Sequence, residues 1–154
     1  MSRQEPIDLP GARRRGVICA RWLASDHRGR LEPDDEAVEA ARTFLLDRWR
    51  ERATELGKPA PADLSGGCLM ATLFVKAIFG GAIRGNYHHV HNVVGGRRID
   101  LSEASADVAA LADPYRHDPR FMREPDFHEN LVSWTYRMEP WLEAFLSRDP
   151  APRP

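Results

Sequence analysis

The stretch SGGCLMATLFVKAIFGG, residues 65–81, decides how the rest of the chain is interpreted. Between its two glycine pairs, residues 68–79 are apolar on nearly every side, with Lys76 as the only charge. A helix that is apolar all round is buried all round, so this segment predicts a central core helix. Cys68 opens that helix directly after two glycines. A thiol at this position is either a small buried side chain or a nucleophile at a helix N-terminus.

Two longer helices are predicted on either side of the core helix. Residues 32–56 begin with acidic side chains, which favour a helix start, and continue with apolar residues at helical spacing until Gly57. Residues 105–114 predict a short helix, and residues 113–127 predict a proline-punctuated loop. A C-terminal helix, with a break predicted at Pro140, is indicated by Leu131, Trp134, Met138, Trp141, Leu142 and Phe145.

Residues 82–94 and 97–102 both carry β-branched side chains, four in the first run and Ile99 in the second, and are separated by Gly95 and Gly96. Two glycines between such runs are typical of a tight β-hairpin turn, so the segment predicts a small antiparallel sheet. Together these elements predict an α+β fold. In this fold the central buried helix that starts at Cys68 packs on the sheet, flanked by an amphipathic N-terminal helix and a C-terminal helix.

The hairpin fixes which polar side chains lie on the same side of the sheet. If the glycine pair is a two-residue turn, His91 faces Asp100 and His89 lies on the diagonal, within reach of the same carboxylate. Side chains alternate between faces, so all three of these residues share one face. The opposite face is predicted to pack on the core and carries Val90, Val94, Ile99 and Leu101.

The composition excludes several classes of function. The chain has 154 residues, of which 42% are hydrophobic and 29% charged, and its net charge is −1. This length and composition indicate one globular domain over residues 1–154, with loose tails at 1–14 and 149–154. A near-neutral chain lacks the basic field of a nucleic-acid-binding protein, and no apolar run reaches the roughly 18 residues of a membrane span. The polar N-terminus lacks a signal peptide, which predicts a cytoplasmic protein with Cys19 and Cys68 reduced.

A cysteine at a helix start has a chemical use. The unpaired N–H groups and the positive end of the dipole favour thiolate over thiol, and the thiolate is the nucleophile. A nearby histidine takes the proton, and a carboxylate orients that histidine. Gly66 and Gly67 allow close approach of backbone and substrate, and the N–H of Cys68, or a donor near Ser65, fits an oxyanion hole. This chemistry needs no cofactor.

The order cysteine, histidine, aspartate is carried by SGGCLMATLFVKAIFGG, HHVHNVV and RRIDLS. It resembles the papain-like/transglutaminase-like cysteine fold, and more closely small bacterial transglutaminase-like proteins, over about residues 64–102. The resemblance implies that Cys68 is a thiol nucleophile, His89 a general base and Asp100 an orienting acid. The implied function is cysteine-dependent acyl transfer, as an amide hydrolase, deamidase or transglutaminase-like enzyme, on a peptide, a protein or a small amide or thioester.

Several alternatives stay open at the level of sequence. His91 competes with His89 as the base or contacts the substrate, because the hairpin register puts it directly opposite Asp100. Papain-type enzymes have a glutamine upstream of the cysteine, and residues 57–67 contain none. A non-catalytic binding module on the same fold is therefore a second hypothesis. A zinc-binding protein that uses Cys68, both histidines and the aspartate as ligands is a third.

Overall fold

The chain folds into α-helices packed on a small antiparallel sheet, which confirms the predicted α+β class. The computed structural model describes residues 13–14, 17–18 and 23–148. The helices are α1 (Asp35–Glu55), α2 (Cys68–Phe79), α3 (Ala106–Ala109) and α4 (Pro125–Leu146), with a 3-10 helix at Pro119–Arg123. The strands are β1 (Arg13–Arg14), β2 (Val17–Ile18), β3 (Ala82–Gly85), β4 (Val90–Val94) and β5 (Arg97–Ile99).

Helix α2 is the centre of the core, as its apolar sequence predicts. Nearly all of its residues after the first turn are buried, and its Phe74 ring lies between aromatic rings of the two long helices. The ring stacks on Phe44 of α1 with centroids 5.7 Å apart and meets Phe145 of α4 edge to face at 5.5 Å. Offset and edge-to-face pairs are favourable ring geometries, so this cluster joins the three helices at one point.

The C-terminal end of α2 is held by a buried lysine. The Lys76 ammonium donates hydrogen bonds to the carbonyl oxygens of Ser25, at 2.9 Å, and Gly81, at 2.6 Å. Burial lowers its pKa to about 7. Gly80 ends the helix at φ +79, where a Cβ would lie 2.1 Å from the carbonyl oxygen of His27. Only glycine allows the chain to pass this close to the N-terminal segment.

The sheet has the register that the glycine turn predicts. Strands β3, β4 and β5 form it in that order, and β4 pairs with β5 through Val94 opposite Arg97 and Asn92 opposite Ile99. The Asn92 side chain donates to the carbonyl of Thr72 at 3.0 Å and so fixes the sheet to α2. The predicted core face is buried in full: Val90, Val94, Ile99 and Leu101.

Residues 82–94, which the sequence pattern leaves undivided, contain a hairpin of their own between β3 and β4. The turn is made by Asn86, whose side-chain oxygen accepts from the backbone N–H groups of His88, at 2.8 Å, and His89, at 3.2 Å. Asparagine side chains favour such local bonds over a continuing strand. Gly85, at φ +149, begins the reversal. His89 therefore lies just before β4 and not inside a strand.

The predicted break at Pro140 is wrong. Helix α4 runs from Pro125 to Leu146 with Pro140 inside it. Proline removes one backbone donor and crowds the preceding turn. Apolar side chains on both sides of it are nevertheless fixed in the core, with Met138 before and Leu142 after. Tertiary packing of the flanking turns therefore keeps the helix continuous across the proline.

Some sequence predictions concern residues outside those that the structure describes. They include the tails at residues 1–12 and 149–154 and the redox state of Cys19. Residues 13–14, which end the first predicted tail, pair as β1 with β2 in a short antiparallel ladder. Within the described part of the chain, none of the helices combines the length and apolar character needed to cross a membrane.

Replacing Pro140 with alanine should stabilise the protein. Alanine supplies the N–H that proline lacks and removes the ring from the preceding turn, while the exposed position loses no core contact. We expect the free energy of unfolding to rise by about 2 kcal/mol, measured by urea denaturation. Glu143→Ala, at another exposed position of α4, is the control and should change stability by less than about 0.5 kcal/mol. A less stable Pro140→Ala variant would contradict this account of the helix.

Candidate active site

Cys68 is the first residue of α2, and it is half-buried like Leu69 beside it, while most of the later residues of the helix are enclosed. Its helix starts at Gly67 without a side-chain cap. The first N–H groups of a helix have no intrahelical acceptor, and they carry the positive end of the dipole. The thiol therefore lies where a negative charge on sulfur, or on an atom bound to it, is stabilised.

The loop before the cysteine is fixed by two aspartates. The Asp63 carboxylate accepts from the N–H groups of Ser65 and Ala106, both at 2.9 Å, and Asp107 accepts from the N–H of Gly66 at 2.9 Å. In return, the N–H of Asp107 donates to the Ser65 hydroxyl at 3.3 Å. These reciprocal bonds join the loop to the start of α3 and hold the chain rigidly as it enters α2.

The hydrogen bonds of this loop limit which backbone N–H groups can form an oxyanion hole. The N–H of Gly67 donates to the carbonyl of Leu64 at 2.8 Å, and the N–H groups of Ser65 and Gly66 donate to carboxylates, so all three backbone donors are in use. None of these three residues lines the cleft beside the thiol. The backbone N–H groups of Cys68 and Leu69, in the uncapped first turn, are the donors that the geometry leaves for this purpose.

His89 and Asp100 form a buried hydrogen-bonded pair. Nε2 of His89 lies 2.7 Å from Oδ2 of Asp100, and both side chains are almost fully enclosed. The other carboxylate oxygen accepts from the N–H of Ser102, at 3.0 Å, and from its hydroxyl, at 2.9 Å. Tyr115 donates its hydroxyl to Oδ2 at 3.0 Å. Burial alone would raise the pKa of Asp100, but the bonds from His89 and Ser102 hold it below its usual value.

His89 also lies beside the cysteine. The two side chains line one cleft, and because Nε2 is bonded to Asp100, Nδ1 is the ring nitrogen that remains available. Burial would lower the pKa of His89, but the hydrogen bonds with Asp100 and then with Cys68 raise it to about 9. At neutral pH the imidazole therefore carries a proton between a carboxylate and a sulfur.

His91 is placed behind this arrangement. Its ring stacks on His89 with centroids 6.5 Å apart, and it meets the edge of Tyr115 at 5.2 Å. Its Nδ1 is buried without a hydrogen-bond partner, and burial lowers its pKa to about 4. The residue does not line the cleft. The register places His91 opposite Asp100. Because β5 ends at Ile99, however, Asp100 lies beyond the strand, and its carboxylate bonds to the diagonal neighbour His89 instead.

Sequence reasoning missed Tyr115 and Ser102. The Asp100–Ser102 contact is a local turn in which an aspartate side chain accepts from the N–H two residues later, a signal that the sequence contains. Tyr115 belongs to the predicted loop, and nothing in the local pattern places it at the site. Its ring is covered by the guanidinium of Arg98, 3.6 Å from the centroid, so the loop closes the histidine face of the sheet.

The cleft beside the thiol has a volume of about 300 Å³. One wall is the start of α2, a second is the turn between β3 and β4, and the third is the start of α4 with the 3-10 helix before it. Its lining combines the thiol and imidazole with aromatic and polar side chains: Cys68, Leu69, Asn86, Tyr87, His88, His89, Val90, Phe121, Glu124, Asp126, Phe127 and Asn130.

No three or more histidine, cysteine, aspartate or glutamate side chains are grouped to hold a metal ion within the residues that the structure describes. The zinc alternative therefore has no ligand set in this geometry. No protein-family model, curated protein or solved structure matches the chain. The transglutaminase-like resemblance accordingly stays a prediction from the sequence motifs.

The pKa of His89 provides a direct test of its two contacts. In NMR titrations of ring protons, we expect a midpoint near 9 for His89 in the native protein. Asp100→Asn should lower this midpoint, because a neutral amide no longer favours the imidazolium, and Cys68→Ser should lower it by less. A midpoint near the ordinary histidine value of about 6.5 in the native protein would contradict the arrangement.

His91 should make the protein sensitive to acid. Its pKa is about 4 in the folded chain and about 6.5 when unfolded. The unfolded state thus binds the proton first, and stability falls as the pH drops below 6.5. His91→Phe keeps an aromatic ring and removes the imidazole that binds this proton. Between pH 7 and pH 5 the variant should therefore lose about 2 kcal/mol less of its free energy of unfolding than the native protein does. Urea denaturation at both values measures this, with His88→Gln, at an exposed histidine, as the control that behaves like the native chain.

Proposed function

We propose that the protein is a cysteine-dependent acyl-transfer enzyme in which Cys68 is the nucleophile, His89 carries the proton and Asp100 orients the imidazole. One observation supports this proposal above all others. A single imidazole bonds to a buried carboxylate through one nitrogen, at 2.7 Å, and lines the same open cleft as a helix-start thiol. A nucleophile, a base and an orienting group are thus next to one another in the spatial order that covalent acyl transfer requires.

In the first half-reaction, the Cys68 sulfur bonds to the carbonyl carbon of the substrate. The negative charge that develops on the carbonyl oxygen faces the start of α2, where the N–H groups of Cys68 and Leu69 stabilise it. The carbon–nitrogen bond then breaks, and the His89 imidazolium gives its proton to the departing amine. The product is a thioester on Cys68 and a neutral imidazole.

In the second half-reaction, neutral His89 takes a proton from the incoming water or amine, which attacks the thioester carbon. Cys68 leaves as thiolate, and the imidazolium–thiolate pair is restored. Water gives hydrolysis or deamidation, and a primary amine gives transamidation. Asp100 holds the ring in one orientation throughout, because its second oxygen is fixed by Ser102.

Reaction of Cys68 with iodoacetamide tests this proposal without a known substrate. We expect fast alkylation well below pH 8 in the native protein, because the imidazolium stabilises the thiolate. His89→Ala should slow the reaction at pH 6 by about tenfold or more. His91→Phe, which removes the histidine behind the cleft, should leave the rate within about twofold of the native value. Mass analysis of the peptide that contains Cys68 separates its reaction from that of Cys19.

A second measurement tests catalysis itself. Incubation with p-nitrophenyl acetate should release a burst of nitrophenolate and leave an acetyl group on Cys68, and Cys68→Ser should abolish both. Added primary amine should speed turnover if the enzyme transamidates and leave it unchanged if water alone resolves the thioester. An alkylation midpoint near the free-thiol pKa of about 8.5, indifferent to His89→Ala, would overturn the catalytic role and favour a non-catalytic binding module.

A further inference from the structure

The wall of the cleft that the start of α4 forms carries two carboxylates. Glu124 is the N-cap residue of α4, Asp126 stands in its first turn, and both line the cleft together with Cys68. Both side chains are exposed, and neither forms an ion pair with the residues that the structure describes. The cleft therefore holds negative charge that the protein itself does not neutralise.

The other charges near the cleft do not offset these carboxylates. The His89 imidazolium is matched by Asp100, to which it is bonded at 2.7 Å. Neither lysine nor arginine is present among the residues that line the cleft. The N-termini of α2 and α4 each contribute a positive partial charge of about half a unit, and together these offset only part of two full carboxylates. The balance at the cleft wall is negative.

The remaining walls suit a cation with an apolar stem. Phe121 and Phe127 meet edge to face with centroids 4.9 Å apart, and Tyr87 is 55% exposed at the rim. Aromatic faces attract ammonium and guanidinium groups and also bury methylene groups. The negative charge and the aromatic lining therefore both favour a ligand with a positive group on an apolar stem. The Cys68 sulfur lies in the same cleft.

We infer that this cleft selects an acyl-transfer substrate that carries an ammonium or guanidinium group close to the reacting carbonyl, as in a basic peptide. The inference rests on the proposed function, because it names the substrate class of that site. Glu124 and Asp126 hold the positive group, the aromatic wall covers its methylene stem, and the carbonyl is left beside Cys68. A substrate with a carboxylate at the same place is repelled.

Charged thiol reagents measure the field at the sulfur without knowledge of the substrate. The rates of a trimethylammonium-ethyl and a sulfonato-ethyl methanethiosulfonate are compared on Cys68 and on free mercaptoethanol, with Cys68→Ser to subtract the reaction of Cys19. We expect the cationic-to-anionic rate ratio to exceed that of the free thiol by about fivefold at low salt and to approach it in 1 M salt. Glu124→Gln with Asp126→Asn should remove the excess. Glu129→Gln, an exposed carboxylate of α4 outside the cleft, should keep it.

Activated esters then test the substrate class itself. The p-nitrophenyl esters of acetyl-lysine and acetyl-norleucine have side chains with the same four carbons and differ only in the terminal ammonium group, which norleucine lacks. We expect the lysine ester to acylate Cys68 several-fold faster in the native protein, with no preference in the doubly substituted variant. Equal rates for both esters, or a reagent ratio equal to that of the free thiol, would overturn the inference.

The outcomes for this cleft and for the proposed function are distinct. If alkylation by iodoacetamide depends on His89 but the charged reagents show no preference, acyl transfer stands and the cationic substrate class is wrong. If alkylation is indifferent to His89, the proposed function fails, and with it the substrate class, whatever the reagent ratio. In that case a preserved ratio shows only that the cleft is negative.

Discussion

The burial of α2 on all sides is the constraint on which the rest of the structure depends. An apolar helix of this kind must be covered by both long helices and by the sheet, and the ring cluster around Phe74 shows where the long helices meet it. Its first two residues, Cys68 and Leu69, are left half-exposed. Because the rest of the helix is enclosed, the thiol lies at the rim of the core and beside a cleft, and not in the interior of the core.

The same constraint determines what the sheet can offer to the site. One face of the hairpin packs on α2 through valine, isoleucine and leucine side chains, so the histidine face points away from the core helix. His89 still reaches the thiol because it lies in the turn before β4, where strand alternation no longer fixes its direction. Asp100 likewise follows the end of β5. The pair forms at the ends of the strands, close to the start of α2.

Burying this polar pair requires that its hydrogen-bonding capacity be satisfied. Asp100 accepts from His89, Ser102 and Tyr115, so its charge is stabilised without contact with water. Tyr115 comes from the loop that docks on the histidine face, where the ring also covers Arg98. His91, whose Nδ1 has no partner, is the one histidine of this face that remains neutral at physiological pH.

The sequence by itself determined the elements whose signals are local. Apolar residues on all sides predicted a buried α2, the glycine pair predicted the β4–β5 register, and alternation predicted the core face. It also brought His89, His91 and Asp100 to one face, with His89 as the base that the resemblance implies and His91 as its competitor by register. Only the tertiary structure bonded Asp100 to His89, added Tyr115, kept α4 continuous through Pro140 and put Glu124 and Asp126 in the same cleft as the thiol. The physical reason is that these features depend on contacts between segments far apart in the chain, whose packing outweighs local preference.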